Sequence, residues 1–233
     1  MYLYLMLNLG SFSIPFMYSF HKKMRFIKQW KSLLSSISIV GLFFIIWDVM
    51  FTANGIWGFN DTYHLPLLIG GLPLEEILFF FCIPYASVFI HYSLAYFKPE
   101  FLIPAGYAKS LTVLLLLTVV GVLIFNYDKW YTMVNYSLLI VSLLLGLKYG
   151  LELLRRFYIS FVIILIPFFI VNGILTGSFI AEPVVWYNNS ENLGIRLFTI
   201  PIEDVGYAFN MLFLVVLLNE RLKKKKKLTQ EQQ

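Results

Sequence analysis

Seven apolar stretches, at residues 2–20, 33–53, 74–97, 108–126, 131–148, 157–180 and 201–219, constrain this chain more than any other feature. Each is close to the ~20 residues that a helix needs to cross the hydrocarbon core of a bilayer. Backbone polar groups inside lipid must be satisfied within the segment itself, so stretches of this kind fold as helices. With 59% hydrophobic and only 13% charged residues, the chain lies outside the soluble range and reads as an integral membrane protein. The expected fold class is all-α: a polytopic membrane protein with seven transmembrane helices. The first stretch lacks a basic leader and a small-residue cleavage site, so it reads as a span rather than a signal peptide.

Basic residues are retained on the cytoplasmic side of a membrane. All but Lys129 and Arg196 of the 18 Lys and Arg fall on one side of a seven-span arrangement: the loops after spans 1, 3 and 5, and the tail with Arg221 and Lys223 to Lys227. The N-terminus is therefore expected outside and the C-terminus in the cytoplasm. The net charge of +5 sits mostly in these anchors, which points the tail towards anionic lipid and not towards nucleic acid. The single cysteine, Cys82, rules out an intramolecular disulfide and a cysteine metal cluster. His21, His64 and His91 show no metal-ligand spacing, and no metal site is expected.

Two acidic motifs interrupt the apolar pattern, Pro73-Leu74-Glu75-Glu76 at the third stretch and Pro201-Ile202-Glu203-Asp204 at the seventh. Carboxylates at this depth are costly to keep, which points to proton chemistry where water is scarce. A plainer reading is that each pair marks a helix N-terminus, where acids and proline are both favoured. Repetition of the motif favours function.

The motifs belong to a wider repeat. Phe79 aligns with Tyr207 and Phe81 with Phe209. Trp57 precedes Pro73 at nearly the spacing by which Trp186 precedes Pro201, and Asn54-Gly55-Ile56 resembles Asn172-Gly173-Ile174. Residues 1–97 form the first repeat with helices 1–3, 98–130 a connector with helix 4, 131–220 the second repeat with helices 5–7, and 221–233 a basic tail. A shift of four crossings preserves direction, so the repeats are parallel and both motifs open a helix on the outer side. Neighbouring helical residues point about 100° apart, so one acid of each pair faces the shared centre. The aligned Glu75 and Glu203 are the expected inner residues, with Glu76 and Asp204 behind them.

Several membrane chemistries do not fit. No lysine lies between Pro201 and Glu220 to form a retinal Schiff base. Glu75-Glu76 leads into Ile-Leu-Phe-Phe-Phe, without the arginine and histidines of an intramembrane CAAX-type protease. Asp-x-x-x-Asp signatures, a P-loop and a Gly-x-Gly-x-x-Gly loop are missing too.

Trp47-Asp48, Trp57, Pro73-Leu74-Glu75-Glu76, Asn172-Gly173 and Pro201-Ile202-Glu203-Asp204 together resemble the membrane-embedded lycopene cyclase domain family, in the form that fuses two domains found elsewhere as a heterodimer. The resemblance spans both halves. It implies a lycopene β-cyclase, an isomerase that protonates the terminal double bond of a linear carotene, lets an internal double bond attack the cation, and loses a proton to give a β-ionone ring. Glu75, Glu76, Glu203 and Asp204 would be the acid and base set. Asp48, Trp57, Asn172 and Trp186 would bind substrate or support the acids; the plainer role of Asp48 and Asn172 is hydrogen bonding between helices. The expected partners are lycopene, membrane lipid and other carotenoid enzymes. No cofactor is expected, with an indirect flavin requirement left open. The rival classes are a proton-coupled transporter, which also uses intramembrane carboxylates, and a non-catalytic carotenoid-binding protein.

Overall fold

A computed structural model describes residues 2–231; Met1, Gln232 and Gln233, at the ends of the first repeat and of the basic tail, lie outside the described residues. The described chain forms seven α-helices: α1 (Leu3–Tyr18), α2 (Trp30–Ala53), α3 (Leu74–Phe97), α4 (Ala105–Phe125), α5 (Trp130–Tyr149), α6 (Leu151–Leu175) and α7 (Glu203–Glu231). All but α1 are long and apolar enough to cross a membrane. With 16 residues, α1 is about 24 Å long at ~1.5 Å per residue, and it packs chiefly against α3.

The helices follow the apolar stretches closely, with one extension. The basic tail was expected to begin after the seventh span, yet α7 runs on through it to Glu231. Lysine, arginine and glutamate are good helix formers, and Lys223 pairs with Glu220 one turn back at 2.8 Å.

Short strands join the helices at one end of the bundle. β1 (Trp57–Phe59) pairs antiparallel with β4 (Val185–Tyr187). β2 (Leu68–Ile69) and β3 (Leu72–Pro73) form a hairpin before α3, and β5 (Arg196–Leu197) and β6 (Ile200–Pro201) form its counterpart before α7. The β1–β4 ladder places Gly58 opposite Trp186, at the same interval that separates Pro73 from Pro201. The Asn60 N–H donates to Val184 O at 2.9 Å, and the Asn188 N–H donates to Ile56 O at 2.8 Å, so each bond repeats the other at that interval. The two halves therefore meet across a local two-fold relationship.

This register corrects the matching of the tryptophans. Trp57 lies opposite Tyr187, and its counterpart at the motif interval is Val185, not Trp186. The slightly unequal spacings from the two tryptophans to the motif prolines already contained that slip. Asn54 and Asn172 are not equivalent either. Asn54 caps α2 and Thr176 caps α6, because the chain joining α6 to β4 is longer than the chain joining α2 to β1.

Candidate active site

Each acidic motif opens its helix in the same way. Glu75 accepts the Leu65 N–H at 2.8 Å through Oε1, and Glu203 accepts the Leu193 N–H at 2.7 Å. Both residues are fully buried. Thr132 Oγ1 also donates to Glu203 Oε1 at 2.7 Å. These two acids tie the preceding loops to the helix N-termini, where negative charge meets the positive end of the helix dipole. The expectation that they face the shared centre is not met, since both turn outward to these loop amides.

Glu76 and Asp204 face inward instead. A cavity of about 190 Å³ opens among α1, α3, α6 and α7, and its lining includes Asp48, Glu76 and Asp204 but neither Glu75 nor Glu203. The turn of about 100° between neighbours leaves room for one member of each pair, and the loop amides claim the other. A dry cavity of ~150 Å³ already admits a benzene ring.

The inner acids have matched tyrosine donors. The Tyr4 hydroxyl donates to Glu76 Oε2, and the Tyr131 hydroxyl donates to Asp204 Oδ1 at 2.5 Å. One turn further along the same helices, Asn8 Nδ2 donates to Glu75 O at 2.8 Å and Asn135 Nδ2 donates to Glu203 O at 2.6 Å. A Tyr-x-x-x-Asn pattern thus opens both α1 and α5. The pattern lies inside apolar stretches and carries no charge, so the sequence shows it only when Tyr4 is set against Tyr131.

Around these matched parts the two inner acids differ. Asp204 Oδ2 accepts from the Tyr187 hydroxyl at 3.0 Å and lies 3.4 Å from Asn172 Nδ2, so both oxygens of this carboxyl group have donors. Burial, followed by the Asp204 charge, raises the Tyr187 hydroxyl well above the usual phenol range, which keeps it a donor. Glu76 has the Tyr4 hydroxyl as its donor and shares the cavity lining with the Asp48 carboxyl group. Asp48 Oδ1 accepts from Trp57 Nε1 at 2.5 Å and from Thr52 Oγ1 at 3.2 Å, while Asp48 Oδ2 has no donor. Asp48 is thus a third acid on the cavity, beyond the helix-pairing role open to it in the sequence.

Aromatic rings complete the head of the cavity. Tyr207 packs 5.0 Å from Trp47 and 4.8 Å from Phe44, and Trp57 packs 5.1 Å from Tyr131. Trp57, Phe59, Phe79 and Tyr207 line the space beside the acids. Trp186 does not: it lies half-exposed outside the cavity, with its indole against Gly58. Arg196, the nearest cation in the sequence, donates to Thr199 O and Asn189 Oδ1 and stacks on the outer side of Tyr187. Among the described residues lining the cavity there is no lysine, arginine or histidine.

This is a helical membrane protein in which two similar halves deliver three acids to one aromatic, largely apolar chamber. The family model described as lycopene cyclase matches residues 1–94 and 128–222, one segment from each half. The chain belongs to the lycopene cyclase family, whose general chemistry is the cyclisation of a linear carotene. No curated protein and no solved structure matches it.

Proposed function

We propose that the protein is a lycopene β-cyclase that closes a terminal six-membered ring by proton transfer alone. The observation that carries the proposal is the convergence of Glu76, Asp204 and Asp48 on one chamber whose described lining holds no lysine, arginine or histidine. Glu76, which shares the chamber with the Asp48 carboxyl group, is the acid. It protonates the terminal alkene of the carotene, and the resulting tertiary cation is attacked by the double bond that closes a six-membered ring. Asp204, with a donor on each oxygen, is the carboxylate that removes a proton from the ring carbon next to the new cation. The bonds gained and lost leave the product isomeric with the substrate, so no electrons pass to or from a cofactor. Paired general acid and base catalysis of this kind is worth ~10²–10⁴-fold per group.

The faces of Trp57 and Tyr207 lie beside the cation's path and stabilise positive charge in a site without competing cations. The Glu75 and Glu203 side chains position the motif helices and their loops. Beyond the acids, Ile83, Ala86, Ile90, Met211 and Leu212 carry the cavity deeper without another ionisable group. A proton-coupled transporter would need acids continuing towards the second face, so this lining favours the enzyme. The asymmetry of basic loops supports an outer N-terminus and a cytoplasmic C-terminus.

Expression in cells that accumulate lycopene, followed by pigment chromatography, tests the reading. The intact chain should yield cyclic carotene, and Glu76→Gln and Asp204→Asn variants present at normal membrane levels should not. Unchanged lycopene with the intact, well-inserted protein would overturn the proposal.

A further inference from the structure

The chamber is lopsided. Its head lies between the two acidic motifs, but its arm runs down one side only, along α3 between α1 and α6. On α3 the lining passes from Glu76 through Phe79 and Ile83 to Ile90, about 21 Å of one helix face at ~1.5 Å per residue. Local two-fold symmetry would place a second arm along α7, between α5 and α2. The side chains at the matching positions are larger there: Leu214 replaces Ala86, and the fully buried Val215 replaces Ser87.

Proline follows the same asymmetry. Pro15, Pro84 and Pro167 lie inside α1, α3 and α6, three of the four helices that wall the arm. Ser142 and Leu212 stand at the positions matching Pro15 and Pro84, and α2, α4, α5 and α7 have no internal proline. A proline inside a helix removes one backbone hydrogen bond and forces the chain away from the preceding turn. Pro15 and Pro167 themselves line the arm from opposite walls.

We propose that this arm is the berth of the polyene: a linear conjugated isoprenoid hydrocarbon lies along α3 with one end at the acids, and Ala86 and Ser87 are the residues that keep the berth open. The proposal deepens the cyclase reading and rests on it. The filled counterpart means that one protein holds one substrate end, in one direction, at a time. Neither residue touches the reacting atoms; both act through the space they leave for the chain.

The test exchanges the two sides. Ala86→Leu and Ser87→Val give α3 the residues that α7 carries at the same positions, and Leu214→Ala makes the reverse change on the closed side. Each is made in the intact chain, and also in the Glu76→Gln background, where uncyclised polyene should co-purify from lycopene-accumulating cells. Polyene absorbance per folded protein should fall about tenfold or more in Ala86→Leu/Ser87→Val, with cyclic product falling alongside, and stay unchanged in Leu214→Ala. The single variants decide the matter by the same ratio if the double variant does not accumulate. Undiminished polyene and product in well-folded Ala86→Leu/Ser87→Val would overturn the berth while leaving the cyclase reading intact. Polyene bound at wild-type level in a chain that never cyclises it would remove the cyclase reading and leave the berth.

Discussion

Gly58 lies directly across the β1–β4 ladder from Trp186, and a methyl group on Gly58 would collide with the indole at Trp186 Cζ2. The ring occupies the space that a side chain would need, at the place where the two halves join. Gly58→Val should therefore destabilise the protein by ~1–3 kcal/mol through overpacking. Thermal melting in detergent should show the loss, with partial recovery in Gly58→Val/Trp186→Ala. Equal melting temperatures for Gly58→Val and the parent would show that the two residues are not in contact.

The acids of each motif should separate by phenotype. Glu76→Gln and Asp204→Asn should lower cyclisation ~10²-fold or more while leaving membrane abundance unchanged. Glu75→Gln and Glu203→Gln weaken a buried hydrogen bond to a loop amide and should cost about 1–3 kcal/mol of stability. Activity per quantity of inserted protein distinguishes the two classes. The assignment fails if Glu75→Gln is the variant that folds normally and does not turn over.

Trp57 positions Asp48 through an indole N–H at 2.5 Å. Trp57→Phe keeps an aromatic face on the cavity but removes the donor, and should reduce turnover roughly 10-fold, equivalent to ~1.4 kcal/mol. Thr52→Val removes the longer 3.2 Å bond and should cost less. Initial rates in membranes, compared at equal protein, give the order.

Phe198, at the tip of the second hairpin, has φ 59° and is largely exposed, while Gly70 occupies the matching position in the first hairpin with φ 62°. A left-handed backbone costs a bulky residue ~1–2 kcal/mol. Phe198→Gly should raise thermal stability by about 1 kcal/mol, a gain reduced by the greater freedom of glycine in the unfolded chain. A lower melting temperature would mean that the phenyl ring contributes more than the strain costs.

A one-sided berth should release its product between rings. If both ends of a carotene are cyclised, the monocyclic species should appear first and exchange with an unlabelled pool of the same compound before the second closure. Label retained wholly in the bicyclic product, without dilution, would indicate that both ends are processed in one binding event.

The apolar stretches determined the helices by themselves, because a backbone in hydrocarbon has few other ways to satisfy its polar groups. The paired acidic motifs, each opening a helix at the same place in its half, likewise made the duplication legible. Which acid of each pair faces the chamber was decided by tertiary structure. A step of about 100° separates the neighbours, but only the packed loops at Leu65 and Leu193 reveal which one is drawn outward. The tyrosine donors on α1 and α5 come from helices distant in sequence, and Asp48 becomes a chamber acid only because α2 ends beside the first turn of α3. The open arm on one side and the filled one on the other arise from side-chain volume and proline placement, whose effect depends on which helices meet.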